Sequence, residues 1–253
     1  MKKFFVNLVC AFIPVKSLRQ KVRASLGIKK KVRSIDPWEK LRQNNHVEIT
    51  ETDKKFVNLA IDGINNKVII KKLSLRNKGK INISLAGDNC SIILDEGIYV
   101  SFGLKILMGQ RHPNFGKIQD AHLHIGRQTT FENCGITTFN SHAKIDIGKN
   151  CMISYGVTFY NTDAHPIYDC VTGKIVNRVK NMKIGDHCWI GANTTILKNS
   201  VLANNTILGW GGVAHGAFLE ENTVLAGNPA KVVRRGVTWD SNGSQGYVQN
   251  EID

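Results

Sequence analysis

The sequence predicts an all-β fold, a parallel β-helix whose coils are built from six-residue repeats. An isoleucine or leucine recurs at every sixth residue, and a small residue stands four positions after each of them. An α-helix, with about 3.6 residues per turn, would carry such positions around its surface, whereas a three-sided solenoid with one repeat per side keeps them inside. The large residues are Ile184, Ile190, Ile196, Leu202 and Leu208, and the small residues are Cys188, Thr194, Ser200, Thr206 and Gly212.

The six-residue step continues towards the N-terminus. Ile147, Ile153 and Phe159 occupy the large position, and Cys151 and Val157 occupy the small one. Further steps with poorer small positions indicate that the solenoid begins earlier still. These steps are Ile125 to Phe131, then Ile92 to Ile98 to Leu104, and Ile69 to Leu75 to Ile81.

One elongated repeat domain with appendages accounts for a chain of 253 residues better than two globules do. Within the repeats, Gly185, Gly191 and Gly209 are expected to supply the permissive backbone of tight corners. The predicted regions are a basic, helical N-terminal leader and cap (1–62), the β-helix (63–235) with a loop insertion (160–183), and a polar C-terminal tail (236–253).

Positive charge is concentrated in the leader. Residues 1–33 contain ten Lys or Arg and no acid, so most of the net charge of +14 belongs to them. Their short apolar stretch (4–15) runs into more positive charge and not into a small-residue cleavage site, which argues against a secretory signal. Two interpretations stay open: peripheral contact with an anionic membrane, or a cap across the end of the solenoid. Nucleic-acid binding is not expected, because no recognisable nucleic-acid module carries the charge.

Six cysteines occur without a CxxC pair or zinc-type spacing. We therefore expect buried small side chains and not a disulfide framework, which favours a cytoplasmic location, including the inner face of the cytoplasmic membrane. No metal site is expected.

The repeat breaks once on a large scale, between Phe159 and Ile184. Repeat proteins confine such insertions to one face, which is often the binding face. His165 stands at the entrance of this loop, one six-residue step after Phe159. Asp163, Asp169 or Asp186 could fix the imidazole tautomer, and so could a backbone carbonyl. Taken alone, a single histidine at a loop entrance is better explained as an ordinary polar side chain than as a catalytic residue.

Four ordered motifs around this break carry a family resemblance. They are Thr-Asp-Ala-His165-Pro-Ile, Ile184-Gly-Asp-His-Cys-Trp189-Ile-Gly-Ala192, Ile196-Leu-Lys, and Ala226-Gly-Asn-Pro-Ala-Lys231. The sequence resembles the left-handed β-helix acetyltransferases of the hexapeptide-transferase superfamily. Within it, the sequence is most similar to O-acetyltransferases of bacterial capsular and lipopolysaccharide sugars, which are related to galactoside and maltose acetyltransferases. The left hand of the helix is implied by this resemblance alone.

The resemblance implies roles for individual residues. His165 falls on the family's catalytic base, and Trp189 on an aromatic position beside the active site. Ala192 falls on the position whose backbone N–H faces the thioester oxygen. Family members are usually homotrimers that use acetyl-CoA as the donor. Three further residues fall on positions that line the coenzyme A groove: Trp210, where relatives carry a small residue, His215, where they carry Thr, and Lys231.

The chemistry of such a reaction is consistent with these residues. A sugar hydroxyl is a weak nucleophile near neutral pH, so a neutral imidazole such as His165 has to take its proton as it attacks the donor. Direct transfer is expected, because no Ser or Cys stands persuasively beside His165. Tyr160, Asp163 and Tyr168, near the loop, are predicted to contact a glycan acceptor.

Three alternatives remain open at this point. An N-acetyltransferase of an amino-sugar nucleotide would use much the same base and coenzyme groove. A non-catalytic glycan-binding solenoid would keep the fold without the chemistry. A γ-type carbonic anhydrase would share the solenoid and bind zinc through three histidines, but no two histidines here are five residues apart, as that family would lead us to expect.

Overall fold

A computed structural model of the protein describes residues 36–110, 116–179 and 181–241. The chain divides into two units, 1–40 and 41–253. The predicted membrane or cap role of residues 1–33 falls outside the described residues and stays a prediction. The one α-helix in the described part, α1 (Pro37–Arg42), is short. None of the helices described is long and apolar enough to cross a membrane.

The second unit is a solenoid of mostly parallel strands. Most strands pair in parallel with the equivalent strand of the next coil, so their backbone hydrogen bonds run along the solenoid axis. The strands are β1 (His46–Ile49), β2 (Val57–Asp62), β3 (Lys67–Ile70), β4 (Lys80–Asp88), β5 (Ser91–Leu94), β6 (Tyr99–Met108), β7 (Ile118–Gln119), β8 (His122–Ile125), β9 (Thr130–Thr138), β10 (Lys144–Ile147), β11 (Met152–Tyr160), β12 (Met182–Ile184), β13 (Trp189–Ile190), β14 (Thr195–Leu197), β15 (Val201–Leu202), β16 (Ile207–Leu208), β17 (Val213–Ala214), β18 (Ala217–Phe218), β19 (Thr223–Ala226) and β20 (Lys231–Arg235).

Three faces follow from the strand pairing. Face 1 is the eight-stranded sheet that includes β10, β12, β15 and β18. Strand β11 serves the other two faces, because its ladder shifts register between Tyr155 and Val157. Its first half pairs with β13, and this pairing continues through β16 to β19 as face 2. Its second half pairs with β14, which pairs with β17, as face 3.

The predicted interior positions are confirmed. Ile184, Ile190, Ile196, Leu202 and Leu208 are all buried, as are the five small residues that follow them. Polar side chains are tolerated in the small position because each hydroxyl donates to the backbone carbonyl three residues earlier. These hydrogen bonds run from Thr194 Oγ1 to Gly191 O (2.8 Å), from Ser200 Oγ to Leu197 O (2.7 Å) and from Thr206 Oγ1 to Ala203 O (2.8 Å).

The solenoid begins earlier than predicted. Strand β1 pairs with β3, and β2 pairs with β4. Residues 46–62 therefore belong to the solenoid, although the sequence predicts them to be part of the leader and cap. The six-residue step also fails in this region. Leu75, predicted to lie inside, is 91% exposed, while Leu73 is buried in its place. The early coils are irregular in length, so a fixed period loses the register there.

The corner glycines act differently from the prediction. The residues with left-handed backbones at these corners are His187 (φ 54°), Asn193 (φ 55°), Asn199 (φ 65°), Asn205 (φ 54°) and Gly211 (φ 68°), and not the predicted glycines. Asparagine tolerates this region better than most residues. At Gly185 and Gly191, a Cβ atom would lie 2.6 Å from a backbone atom of the next coil. These glycines are needed because they lack a side chain.

Replacing Phe159 by Ala removes a fully buried ring from the core. We expect this change to lower the free energy of unfolding by about 3–5 kcal/mol, because the lost packing leaves a cavity. Phe102→Ala is the matched control, since its ring is 70% exposed, and it should cost under about 1 kcal/mol. Equal losses in denaturant titrations of the two variants would contradict the assigned interior.

Candidate active site

His165 follows a tight turn at the end of face 3. Strand β11 ends at Tyr160, and the next two residues, Asn161 and Thr162, are buried. Ala164 has a left-handed backbone (φ 61°), and its N–H donates to Thr162 Oγ1 at 2.9 Å. The His165 N–H donates to Asp163 O at 2.6 Å. This turn takes the chain out of the coil and leaves the His165 residue exposed.

The two ends of the loop between β11 and β12 are held together by Asn177. Its Nδ2 atom donates to Asp163 Oδ2 (2.6 Å) and to the carbonyl of His165 (2.9 Å). Its Oδ1 atom accepts from the N–H of Ile167 at 2.8 Å. One amide side chain therefore fixes the backbone on both sides of His165, which orders the loop at the point where the imidazole leaves it.

Lys198 ties this loop to the coil below. Its ammonium forms an ion pair with Asp163 Oδ2 at 2.6 Å and donates to the carbonyl of Asn177 at 3.1 Å. Desolvation raises the pKa of Asp163, but the hydrogen bonds from Lys198 and Asn177 outweigh it, and electrostatic interactions with Lys198 and His215 lower the pKa further. The pKa of this carboxyl is consequently lowered, and Asp163 is ionised at neutral pH.

A cavity of about 440 Å³ opens beside His165. Two basic side chains, His142 and Arg178, line it, and Asn140 and Ser141 add polar groups. The cavity is therefore suited to a polar ligand that carries negative charge. Its other lining residues are Asp163, Ala164, Pro166, Ile175, Asn177 and Val179.

Two of the predicted acceptor contacts, Tyr160 and Tyr168, do not line this cavity. Tyr160 belongs to β11, between the paired residues Thr137 and Leu197 of neighbouring coils. Tyr168 faces Ile175 in a short antiparallel bridge inside the loop and is exposed. Of the three residues predicted to contact an acceptor, only Asp163 lines the cavity, and its carboxylate is engaged by Lys198 and Asn177.

Ala192 and Trp210 lie together at a different corner, between faces 2 and 3. The Gly211 N–H donates to Ala192 O at 2.9 Å, which stacks this corner of one coil on the next. The Ala192 N–H donates to none of the described residues. Trp210 is 76% exposed. This corner therefore offers an unused backbone donor beside an exposed aromatic ring.

Trp189 lies on face 2, in β13. Its Nε1 atom is 3.4 Å from Ser154 Oγ of the coil above, and the residue is 37% exposed. Lys231 begins β20, which runs antiparallel to β19 on the same face. The structure thus separates the predicted residues within one chain: His165 lies beyond face 3, and Trp189 and Lys231 lie on face 2. His215 is close enough to Asp163 to contribute to the lowered pKa of that carboxyl.

Known proteins match this chain over most of its length. A polysialic acid O-acetyltransferase of Neisseria meningitidis is 36% identical over 187 residues, which cover 70% of this chain and 86% of the relative. The chain belongs to the hexapeptide-repeat O-acetyltransferases. It is therefore an acyltransferase, and the predicted superfamily and enzyme class are confirmed.

Two solved structures share the fold of this O-acetyltransferase. The polysialic acid O-acetyltransferase OatWY superposes with a TM-score of 0.52 at 29% identity, covering 83% of this chain and 93% of its own. The polysialic-acid-specific acetyltransferase NeuO superposes with a TM-score of 0.56 at 22% identity, covering 78% of this chain and 95% of its own. The predicted all-β β-helix is confirmed. No protein-family model matches the chain.

Two features of this O-acetyltransferase were not foreseen from the sequence. Lys198 appeared there only as part of the motif Ile196-Leu-Lys, without a role, and the pairing of Phe159 with Ile196 is what brings it beneath the loop. Asn140 and His142 reach the cavity from the coil above, because Phe159 also pairs with Ile136. The sequence signal that could have found these residues is the pairing of Phe159 with Ile136 in one neighbouring coil and with Ile196 in the other.

Among the described residues, no cluster of three or more His, Cys, Asp or Glu could hold a metal.

Lys198→Met removes the charge that pairs with Asp163 but keeps a long side chain. We expect the free energy of unfolding to fall by about 1–2 kcal/mol, and trypsin to cut the loop faster at Lys174 or Arg178. Because the folded-state pKa of Asp163 is lowered, its ionised carboxylate stabilises the folded state at pH values above the unfolded-state pKa. This stabilisation is lost as pH falls through the lowered folded-state value, so the deficit of the variant should shrink in acid.

Lys183→Met is the matched control for these measurements, because Lys183 is an exposed residue of face 1. Unchanged loop cleavage in Lys198→Met would contradict the role of the ion pair.

Proposed function

We propose that this O-acetyltransferase transfers an acetyl group from acetyl-CoA to a hydroxyl of an acidic bacterial surface polysaccharide, with His165 as the general base. The observation that carries the proposal is the exposed His165 beside a cavity of about 440 Å³ whose walls include the basic residues His142 and Arg178. Relatives named for polysialic acid, a polymer of carboxylated sugars, support an acidic glycan as the acceptor.

His165 performs the proton transfers. The neutral imidazole takes the proton of the attacking sugar hydroxyl, a step typically worth about a hundred- to ten-thousandfold in rate. The protonated ring then returns this proton to the departing sulfur, so no acyl-enzyme is needed. Because Asn177 and the turn at Ala164 fix the backbone on both sides of His165, the base starts from an ordered position.

Ala192 stabilises the developing negative charge. Acetyl-CoA supplies a thioester whose carbonyl oxygen becomes negative as the hydroxyl attacks. The Ala192 N–H has no partner among the described residues, so it is available to donate to that oxygen. Loss of one such donor costs about 3–4 kcal/mol in other enzymes. The exposed ring of Trp210 and the ammonium of Lys231 fit the apolar arm and the phosphates of the donor, respectively.

A second copy of the chain completes each site in this proposal. His165 leaves one chain at the corner between faces 3 and 1, whereas Trp189 lies on face 2 of the same chain. A homotrimer that packs these regions of neighbouring copies against each other would bring them together, and a closed ring uses the same contact three times. The separation of the two residues within one chain supports this arrangement.

His165→Asn keeps a polar side chain but removes the base. We expect kcat to fall by about a hundredfold or more, with KM for acetyl-CoA changed little. The measurement is thiol release from acetyl-CoA with polysialic acid as acceptor. His46→Asn, at an exposed histidine of β1, is the control. Near wild-type turnover by His165→Asn would refute the assignment.

Arg178→Gln tests the acidic acceptor. A lost cation in the cavity should raise KM for polysialic acid about tenfold through the lost charge-assisted contact, while KM for acetyl-CoA stays unchanged. Chemically carboxyl-reduced polysialic acid provides the neutral comparison. If Arg178→Gln raises KM equally for polysialic acid and for the carboxyl-reduced polymer, Arg178 does not recognise the carboxylate.

A further inference from the structure

The first residues of the C-terminal tail return to the solenoid at the corner between faces 1 and 2. The Val237 N–H donates to Asn222 O at 3.1 Å, and its carbonyl accepts from Asn205 Nδ2 at 3.1 Å. Thr238 Oγ1 donates to Asn205 Oδ1 at 3.1 Å. The tail therefore runs along the corner asparagines of two successive coils before it reaches Trp239.

Trp239 joins an aromatic cluster at this corner. Its Nε1 atom donates to the carbonyl of His187 at 2.8 Å. Its ring stacks on the His187 imidazole, with centroids 4.4 Å apart and planes 9° from parallel. The same ring lies 6.0 Å from the ring of Trp189, tilted by 45°. Trp239 thus connects the tail directly to a residue of the candidate active site.

Trp189 has few other restraints. It belongs to the two-residue strand β13, and the one side-chain hydrogen bond that it forms within the described part of the chain, to Ser154 Oγ, is long at 3.4 Å. An indole with one weak bond and partial exposure can populate several rotamers. Trp239 occupies one side of this ring, so it removes rotamers that would turn the indole towards the tail.

We propose that Trp239 is a positioning residue that fixes the Trp189 side chain for acetyl transfer. The inference rests on the proposed function, in which Trp189 borders the reacting groups. The tail is already held by the hydrogen bonds of Val237 and Thr238 with Asn205 and Asn222. Removing the Trp239 ring leaves these backbone and side-chain hydrogen bonds of the tail in place, while it takes away the stacking on His187 and the contact with Trp189.

A double-mutant cycle on the full chain tests this coupling. The variants are Trp189→Ala, Trp239→Ala and their combination, assayed with acetyl-CoA and polysialic acid by thiol release. Because misplaced active-site groups cost rate steeply, Trp239→Ala should lower kcat/KM for acetyl-CoA about tenfold in the wild-type background. In the Trp189→Ala background it should lower kcat/KM by less than about twofold, since the ring it positions is gone.

Two further variants complete the design. Trp239→Phe keeps a ring beside Trp189 and should recover activity to within about threefold of wild type. Val233→Ala, at an exposed residue of the neighbouring β20, should leave kcat/KM unchanged. The unfolding midpoint of each variant is measured, so that activities are compared only between variants that are folded at the assay temperature.

The outcomes separate the inference from the proposed function. Equal losses from Trp239→Ala in both backgrounds would mean a general structural role and overturn the inference. The same holds if Trp189→Ala is impaired while Trp239→Ala is fully active. If Trp189→Ala itself retains wild-type activity, the role of Trp189 in the proposed function fails, and the inference fails with it.

Discussion

The parallel pairing register between successive coils is the constraint on which the rest of the structure depends. Each coil must align with its neighbours, because backbone N–H and C=O groups inside the protein need partners. Phe159 pairs with Ile136 above and with Ile196 below. This one alignment brings Asn140 and Lys198, from different coils, to the corner where the chain leaves the solenoid.

The loop between β11 and β12 leaves the solenoid at that corner, and there the strand pairing between coils is interrupted. A surface loop costs little closure entropy, but ordering its residues for catalysis is expensive. The protein meets this cost with a compact set of polar contacts: Asn177 bridges the loop ends, and Lys198 ties Asp163 to the solenoid. The ion pair is partly shielded from water, so it contributes more than an exposed pair would.

The sequence predicts the regular part of the fold well, because a six-residue period and a three-sided coil express the same geometry. Ile190 and Ile196 are buried where the period puts them. Prediction fails where coil length varies, as at Leu75. The prediction also assigned the corner glycines to backbone freedom, whereas close packing between coils explains Gly185 and Gly191, and asparagine takes most of the left-handed positions.

The candidate site is only partly visible in the sequence. His165, Trp189 and Ala192 stand in motifs that resemblance can identify. The contacts that support them come from elsewhere: Lys198 from the next coil, and Trp239 from a tail without any repeat. A period of six contains no information about a segment that folds back across a corner, so such contacts become visible only in three dimensions.

The most direct test of a site shared between copies is complementation between His165→Ala and Trp189→Ala chains. Each variant alone should be nearly inactive, since every site lacks one residue. After co-expression at equal amounts and joint purification, random mixing in a trimer should place an intact His165 opposite an intact Trp189 in about one quarter of the sites. Recovery of about one quarter of wild-type activity is therefore predicted. Mixed assemblies that remain as inactive as the separate variants would contradict a site built from two chains.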